Sequence, residues 1–221
     1  MYIVTNKHVI YGENFGQNQV VPKPKIDALK LNLHTNPKNF TQNEEKVVSL
    51  FAGENKVWLE HSHSYVDVVL VPLTIDRTKF VITALNQTFI DSNNLVVDDF
   101  EKIFVFGYPY GWYDRLNNLP VVRVGHLSSP FKIPFQGKQM MIGDVTTHKG
   151  MSGGPVLMHL VDYTTKGDNG KTTRHLGSTR RLLAGINSGQ FQIKDDAEER
   201  VNLISIWFPE IILEILRLNE L

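Results

Sequence analysis

Short apolar runs, cut repeatedly by turn-forming residues, constrain this chain more than any other feature. Ala28–His34 (ALKLNLH) sets Leu29, Leu31 and Leu33 on one face and polar residues on the other, the alternation of a half-buried strand. Similar runs are expected to form strands at Lys46–Phe51, Lys56–Leu59, Asp67–Leu73, Lys102–Tyr108, Pro120–Val124, Met140–Val145, Gly154–His159 and Leu182–Asn187. Between them stand Asn36-Pro37, Gly53-Glu54-Asn55, the stretch from Gly107 to Gly111, Asn117-Asn118 and Gly167-Asp168-Asn169-Gly170, all turn chemistry. Many short strands with such turns indicate an all-β barrel or sandwich. The C-terminus differs: Pro209 suits a first helical position, and Ile211, Ile212, Ile215 and Leu218 then form an apolar stripe opposite Glu210, Glu214 and Arg217. A helix is expected to end the chain.

With 221 residues, 42 % of them hydrophobic, the chain can bury a substantial core as one large domain or two small ones. A weak seam at Ile90–Phe100 suggests two β-halves, residues 1–95 and 96–221. Twenty-three basic residues balance twenty-three acidic ones, so no overall field draws the chain to nucleic acid or an anionic membrane. There is no cysteine, which excludes disulfides, thiol catalysis and thiolate zinc sites. The first residues lack the pattern of a signal peptide, so a cytoplasmic protein is expected, or an exported one if a segment precedes Met1. No cofactor, metal, nucleic acid or membrane is called for.

Lys149-Gly150-Met151-Ser152-Gly153-Gly154-Pro155-Val156 puts one hydroxyl among three glycines. Glycines around a nucleophilic serine allow a sharp turn and let backbone N–H groups point at a developing oxyanion. A plain turn with a self-capping hydroxyl uses the same residues. Two other stretches bear on the choice. Val4-Thr5-Asn6-Lys7-His8-Val9-Ile10 carries a histidine leaving a β-rich run, and Tyr65-Val66-Asp67-Val68-Val69-Leu70-Val71 carries an aspartate among apolar strand residues. A carboxylate in such surroundings needs a partner, and an imidazole N–H is a suitable one.

His8, Asp67 and Ser152 follow one of the chain orders in which a Ser-His-Asp triad occurs. TNKHV, DVVLVPL and GMSGGPV resemble the three signature blocks of trypsin-like, chymotrypsin-fold serine peptidases, in particular the bacterial branch without disulfides. The resemblance implies two packed six-stranded antiparallel β-barrels, His8 and Asp67 in the first and Ser152 in the second. It further implies an endopeptidase acting on proteins or peptides through an acyl-enzyme on Ser152. His8 would be the general base, Asp67 would orient it, and the Gly150 and Ser152 amides would form the oxyanion hole. The family's primary specificity pocket would have Thr146 and Thr147 at its base, neither acidic, so a preference for Lys or Arg is not expected. Glutamate-specific relatives pair such a threonine with a histidine where this chain has Asn187, which points to a small or uncharged side chain instead. Asn187, Ser188 and Gly189 would line the extended substrate.

Two departures qualify this resemblance. Only seven residues precede His8, where the family has further strands, so either an N-terminal segment is missing ahead of Met1 or the first barrel is a reduced, incomplete variant. Met151 replaces the aspartate that pairs with a newly cut N-terminus in digestive enzymes, which removes that activation switch. An inactive binding module of the same fold is the alternative.

Gly150-Met151-Ser152-Gly153-Gly154 also satisfies the G-x-S-x-G elbow of α/β-hydrolases, but no helix start follows Ser152 and regular βα alternation is missing. His61 and His63 form an H-x-H pair without an identifiable third ligand, so a surface loop is preferred to a metal site. His148 reads as a loop residue. Asp162–Arg181, with five basic and two acidic residues, reads as a long exposed hairpin. Tyr108, Tyr110, Trp112 and Tyr113 are expected to pack at the core and rim, with a wall of the substrate cleft as the lesser alternative.

Overall fold

The computed structural model describes residues 1–12, 24–190 and 202–219. In chain order they form β1 (Tyr2–Thr5), α1 (Lys7–Tyr11), β2 (Ala28–His34), β3 (Asn43–Ser49), β4 (Phe51–Ala52), β5 (Asn55–Lys56), β6 (Leu59–Glu60) and β7 (Val69–Pro72). The chain continues through α2 (Gln87–Ile90), β8 (Leu95–Val96), β9 (Lys102–Gly107), a 3-10 turn at Pro109–Gly111, β10 (Val121–Leu127) and β11 (Met140–Asp144). It finishes with β12 (Pro155–Val161), β13 (Thr164–Lys166), β14 (Thr172–Arg174), β15 (Thr179–Gln190), β16 (Leu203–Trp207) and α3 (Glu210–Leu218). The class is all-β with a C-terminal helix, as expected. Pro209 lies one residue ahead of that helix and not inside it.

Contacts divide the chain into two compact units. One comprises Met1–Ala84, Gly111–Val121 and Ile211–Leu221; the other comprises Leu85–Tyr110 and Val122–Glu210.

In the second unit six antiparallel strands close into a barrel in the order β10-β11-β16-β15-β12-β9. Along each strand alternate side chains turn inward, the pattern closure imposes. Ile103 and Val105 of β9, Val156, Met158 and Leu160 of β12, Leu182 and Ala184 of β15, and Ile204 and Ile206 of β16 meet Leu127 and Met141 in one buried cluster. β16 was not among the expected strands, although Leu203-Ile204-Ser205-Ile206-Trp207 buries alternate residues at Ile204 and Ile206. The basic segment after Asp162 forms the β13–β14 hairpin, and β13 also pairs with β8.

The first unit is built differently. Among the described residues its strands lie in three ladders, β1-β7-β6, β2-β3 and β4-β5. Leu29, Leu31 and Leu33 do share the less exposed face of β2. Ile10, Leu50, Trp58, Val69 and Val71 form the core. The strand expected over Lys56–Leu59 is two fragments, because Val57 N–H donates to the Leu50 carbonyl at 3.1 Å and Trp58 turns into the core. The strand expected from Asp67 begins only at Val69. Asp67 is kept out of the ladder by its partners: its carbonyl accepts from Asn6 Nδ2 at 2.6 Å and its carboxylate accepts from His8.

Candidate active site

His8 stands on the first turn of α1, directly after β1. Its backbone N–H donates to Asp67 Oδ1 at 3.0 Å, and its Nδ1 lies 2.7 Å from Asp67 Oδ2. An ionised carboxylate only accepts, so Nδ1 carries a proton, and in the neutral imidazole Nε2 is then the acceptor. Two bonds from one residue to both oxygens of the other fix the ring's position and its tautomer together. The two side chains are 23 % and 17 % exposed, so the pair is shielded while the imidazole retains a solvent-facing part. Asn6, fully buried, ties the Asp67 backbone to the start of α1.

A second network, not singled out in the sequence, anchors the same helix. Glu60 accepts from Tyr11 Oη at 2.7 Å, Trp58 Nε1 at 2.7 Å and Lys56 Nζ at 3.1 Å, and its other oxygen lies 3.4 Å from Lys7 Nζ. Lys7 and Tyr11 are four residues apart on α1, and Lys7 immediately precedes His8. Burial pushes the Glu60 carboxyl up, but the hydrogen bonds from Tyr11, Trp58 and Lys56 and the charge of Lys7 outweigh it and bring it down to about 2. Burial first, and then the bond to Glu60, push the Tyr11 phenol well above its usual range. Only the i,i+4 spacing of Lys7 and Tyr11 was visible beforehand; their partner is some fifty residues away.

Ser152 belongs to the second unit, in the loop between β11 and β12. Backbone geometry holds it. Gly150 and Gly153 adopt φ of +92° and +78°, which side-chain-bearing residues rarely take. Gly154 must be glycine because a Cβ there would meet the Phe106 carbonyl oxygen at 2.0 Å. Gly153 N–H donates to the Asn187 carbonyl at 2.8 Å, Asn187 N–H donates to Gly154 O at 3.0 Å, and Asn187 Nδ2 donates to Met151 O at 2.7 Å. On the other side Tyr108 N–H and Tyr110 N–H donate to the Gly150 and Lys149 carbonyls. Among the described residues, the Gly150 and Ser152 amides donate to no acceptor.

Gly189, near the end of β15, passes close by: a Cβ built on it would lie 3.6 Å from Ser152 Oγ. The β15–β16 register shifts between Asn187 and Gln190, a bulge that takes Ser188 and Gly189 out of the ladder. Thr147 is buried, its hydroxyl has no partner among the described residues, and its carbonyl accepts from Gln190 Nε2 at 3.3 Å. Thr146 is half-buried, and its carbonyl accepts from Arg123 Nε at 3.1 Å. The second unit thus gathers Thr147, Gly150, Ser152, Asn187 and Gly189 by bonds and close approach. The first unit brings His8 and Asp67 into one hydrogen-bonded pair.

The remaining features fall elsewhere. His61 Nε2 lies 3.2 Å from Glu214 Oε2, and its ring packs against His63, which stacks on Tyr65. No group of three or more potential metal ligands converges among the described residues. His148 stacks on Tyr110 at 5.0 Å. Tyr110 and Trp112, expected at the core and rim, are instead 70 % and 68 % exposed, because Pro109–Gly111 turns outward with Tyr110 at φ +53°. No helix among the described residues is long and apolar enough to cross a membrane.

Residues 1–159, a span that contains His8, Asp67 and Ser152, match the family model of the trypsin-like peptidase domain. No curated protein matches the chain.

Proposed function

The chain belongs to the trypsin-like peptidase family, and on that premise we propose that it is a serine endopeptidase whose nucleophile is Ser152. In the proposed reaction His8 Nε2 takes the Ser152 proton as Oγ attacks the scissile carbonyl carbon. The tetrahedral oxyanion is held by the Gly150 and Ser152 amides, and His8 returns the proton to the leaving amine as the C–N bond breaks. Water, activated by the same imidazole, then hydrolyses the acyl-enzyme. Asp67 holds the tautomer and stabilises the imidazolium.

One observation carries this reading: Asp67 binds His8 through both the backbone N–H and Nδ1, leaving Nε2 as an acceptor. The Gly150 and Ser152 N–H groups, which meet no acceptor among the described residues, add support, since unused donors at a glycine turn suit an incoming anion.

For the residue preceding the scissile bond we propose a small or uncharged side chain. Thr146 and Thr147 offer no negative charge, and Arg123 at the Thr146 carbonyl places a positive one beside them. A lysine or arginine in such a pocket would lack a counter-charge. The substrate backbone is proposed to run along Asn187, Ser188 and Gly189 as an added strand.

The test is fluorophosphonate labelling of the full chain, with the modified residue located by peptide mass spectrometry. Labelling is expected at Ser152 and is expected to vanish in Ser152→Ala and His8→Ala. Asp67→Asn, which favours the wrong tautomer, is expected to slow it on the order of 10³- to 10⁴-fold. A folded chain that takes no label would overturn the proposal and leave a binding module with a peptidase fold.

A further inference from the structure

A cavity of about 460 Å³ lies in the second unit on the sheet formed by β14, β13 and β8. The β13–β14 register places Thr165 opposite Thr173, so strand alternation puts Tyr163 and Thr165 on the same face as Lys171, Thr173 and His175. All five line the cavity, and Lys166 and Arg180 add two further cations at its wall. The Tyr163 and His175 rings stack at 4.6 Å, and His175 Nε2 is hydrogen-bonded to Thr165 Oγ1 at 2.9 Å, so this wall is preorganised.

The charge of the lining is one-sided. Among the described residues no aspartate or glutamate contributes to it. Lys166, Lys171 and Arg180 form no ion pair with a carboxylate among the described residues. Arg180 is held in place by Nη2 donating to the Asp91 carbonyl at 2.7 Å, a neutral acceptor. This arrangement contrasts with a chain whose charges balance as a whole. Like charges gathered in one concavity repel each other, and an anion with several acceptor oxygens relieves that repulsion.

We propose that this cavity is a binding site for a small phosphorylated molecule. The phosphoryl oxygens are taken by Lys171, Lys166 and Arg180, with the Thr165 and Thr173 hydroxyls beside them. The volume exceeds that of a single phosphoryl group, and the stacked Tyr163–His175 pair supplies an apolar wall for the rest of the ligand. A small ligand is favoured over nucleic acid because the cations converge on one concavity and are not spread along an aromatic-bearing groove that could track a strand. The site is independent of the peptidase reading, since none of its residues has a part in that chemistry.

The experiment is isothermal titration of the full chain with inorganic pyrophosphate at low salt. Saturable one-to-one binding that weakens as salt is added is expected. Lys171→Ala combined with Arg180→Gln removes two charge-assisted contacts and is expected to weaken binding by more than about tenfold. Lys171→Ala alone, on the exposed hairpin, guards against a folding defect and is expected to weaken it by a smaller factor. Lys30→Ala, an exposed lysine of β2 in the other unit, is expected to leave it unchanged. Absence of saturable binding at millimolar pyrophosphate would overturn the proposal. So would affinity that survives both Lys171 variants, or affinity for a phosphoserine peptide or an RNA oligonucleotide in place of pyrophosphate.

Discussion

The two units hold their candidate catalytic groups by opposite means. In the first, His8 is fixed by side chains: Asp67 and Asn6 on one side of the α1 start, and Glu60 on the other through Lys7 and Tyr11. The strands around it are short and lie in separate ladders. In the second, Ser152 is fixed almost entirely by backbone, through glycine conformations and carbonyl contacts hung from a closed barrel. A histidine that must change protonation needs a partner that responds to charge, which only side chains supply. An oxyanion site needs N–H groups at fixed positions, which a rigid backbone supplies best. The first unit should therefore be sensitive to charge and pH, and the second to added atoms.

The largest effect should come from Gly154→Ala. Its Cβ would meet the Phe106 carbonyl oxygen at 2.0 Å, and backbone cannot yield as a flexible side chain can. A loss of at least about 3 kcal/mol in urea unfolding is expected, with little pH dependence. Gly170→Ala, in an open turn with nothing within 4 Å but φ of +75°, is the comparison and should cost about 1 kcal/mol.

An intermediate effect is expected from Glu60→Gln, which keeps the shape but weakens the bonds to Tyr11, Trp58 and Lys56 and removes the charge facing Lys7. A loss of about 2 kcal/mol near neutrality is expected. Its pH dependence carries the comparison. The carboxyl is lowered from 4.5 to about 2 on folding, so the stability it contributes is complete above the unfolded value and is lost as the pH falls toward 2. The gap in melting temperature between wild type and Glu60→Gln should therefore close on acidification across that window. A gap that stays constant would remove Glu60 as the charge-sensitive anchor of α1.

The smallest effect should follow Thr147→Val. The Thr147 hydroxyl is buried without a partner among the described residues, so replacing it with a methyl group exchanges an unsatisfied polar atom for an apolar one of similar size. Stability should be unchanged or higher by less than about 1 kcal/mol. A marked loss would show that the hydroxyl is bonded after all.

Much of this molecule was legible in the chain as written. The alternation in Ala28–His34 and the apolar runs of β9, β11, β12 and β15 announced strands, and the stripe after Pro209 announced a helix. His8, Asp67 and Ser152 stood out because each is a chemically unusual residue in an apolar or glycine-rich setting. Other features were not legible, for specific reasons. Asp67 sits ahead of its strand because Asn6 and His8, distant in sequence, capture it. Tyr110 and Trp112 point outward because of a turn conformation that composition does not encode. Glu60 looked like any surface glutamate until four donors converged on it.

The sequence by itself determined the all-β class, the C-terminal helix and the types of residue available for chemistry, because periodicity, turn propensity and side-chain identity are local properties. Tertiary structure alone decided which strands close into a barrel and which do not. It also decided that Glu60 anchors the His8 helix and that the hairpin's cations share one cavity. Those outcomes depend on contacts between residues tens of positions apart, where burial and hydrogen-bond geometry outweigh local preference.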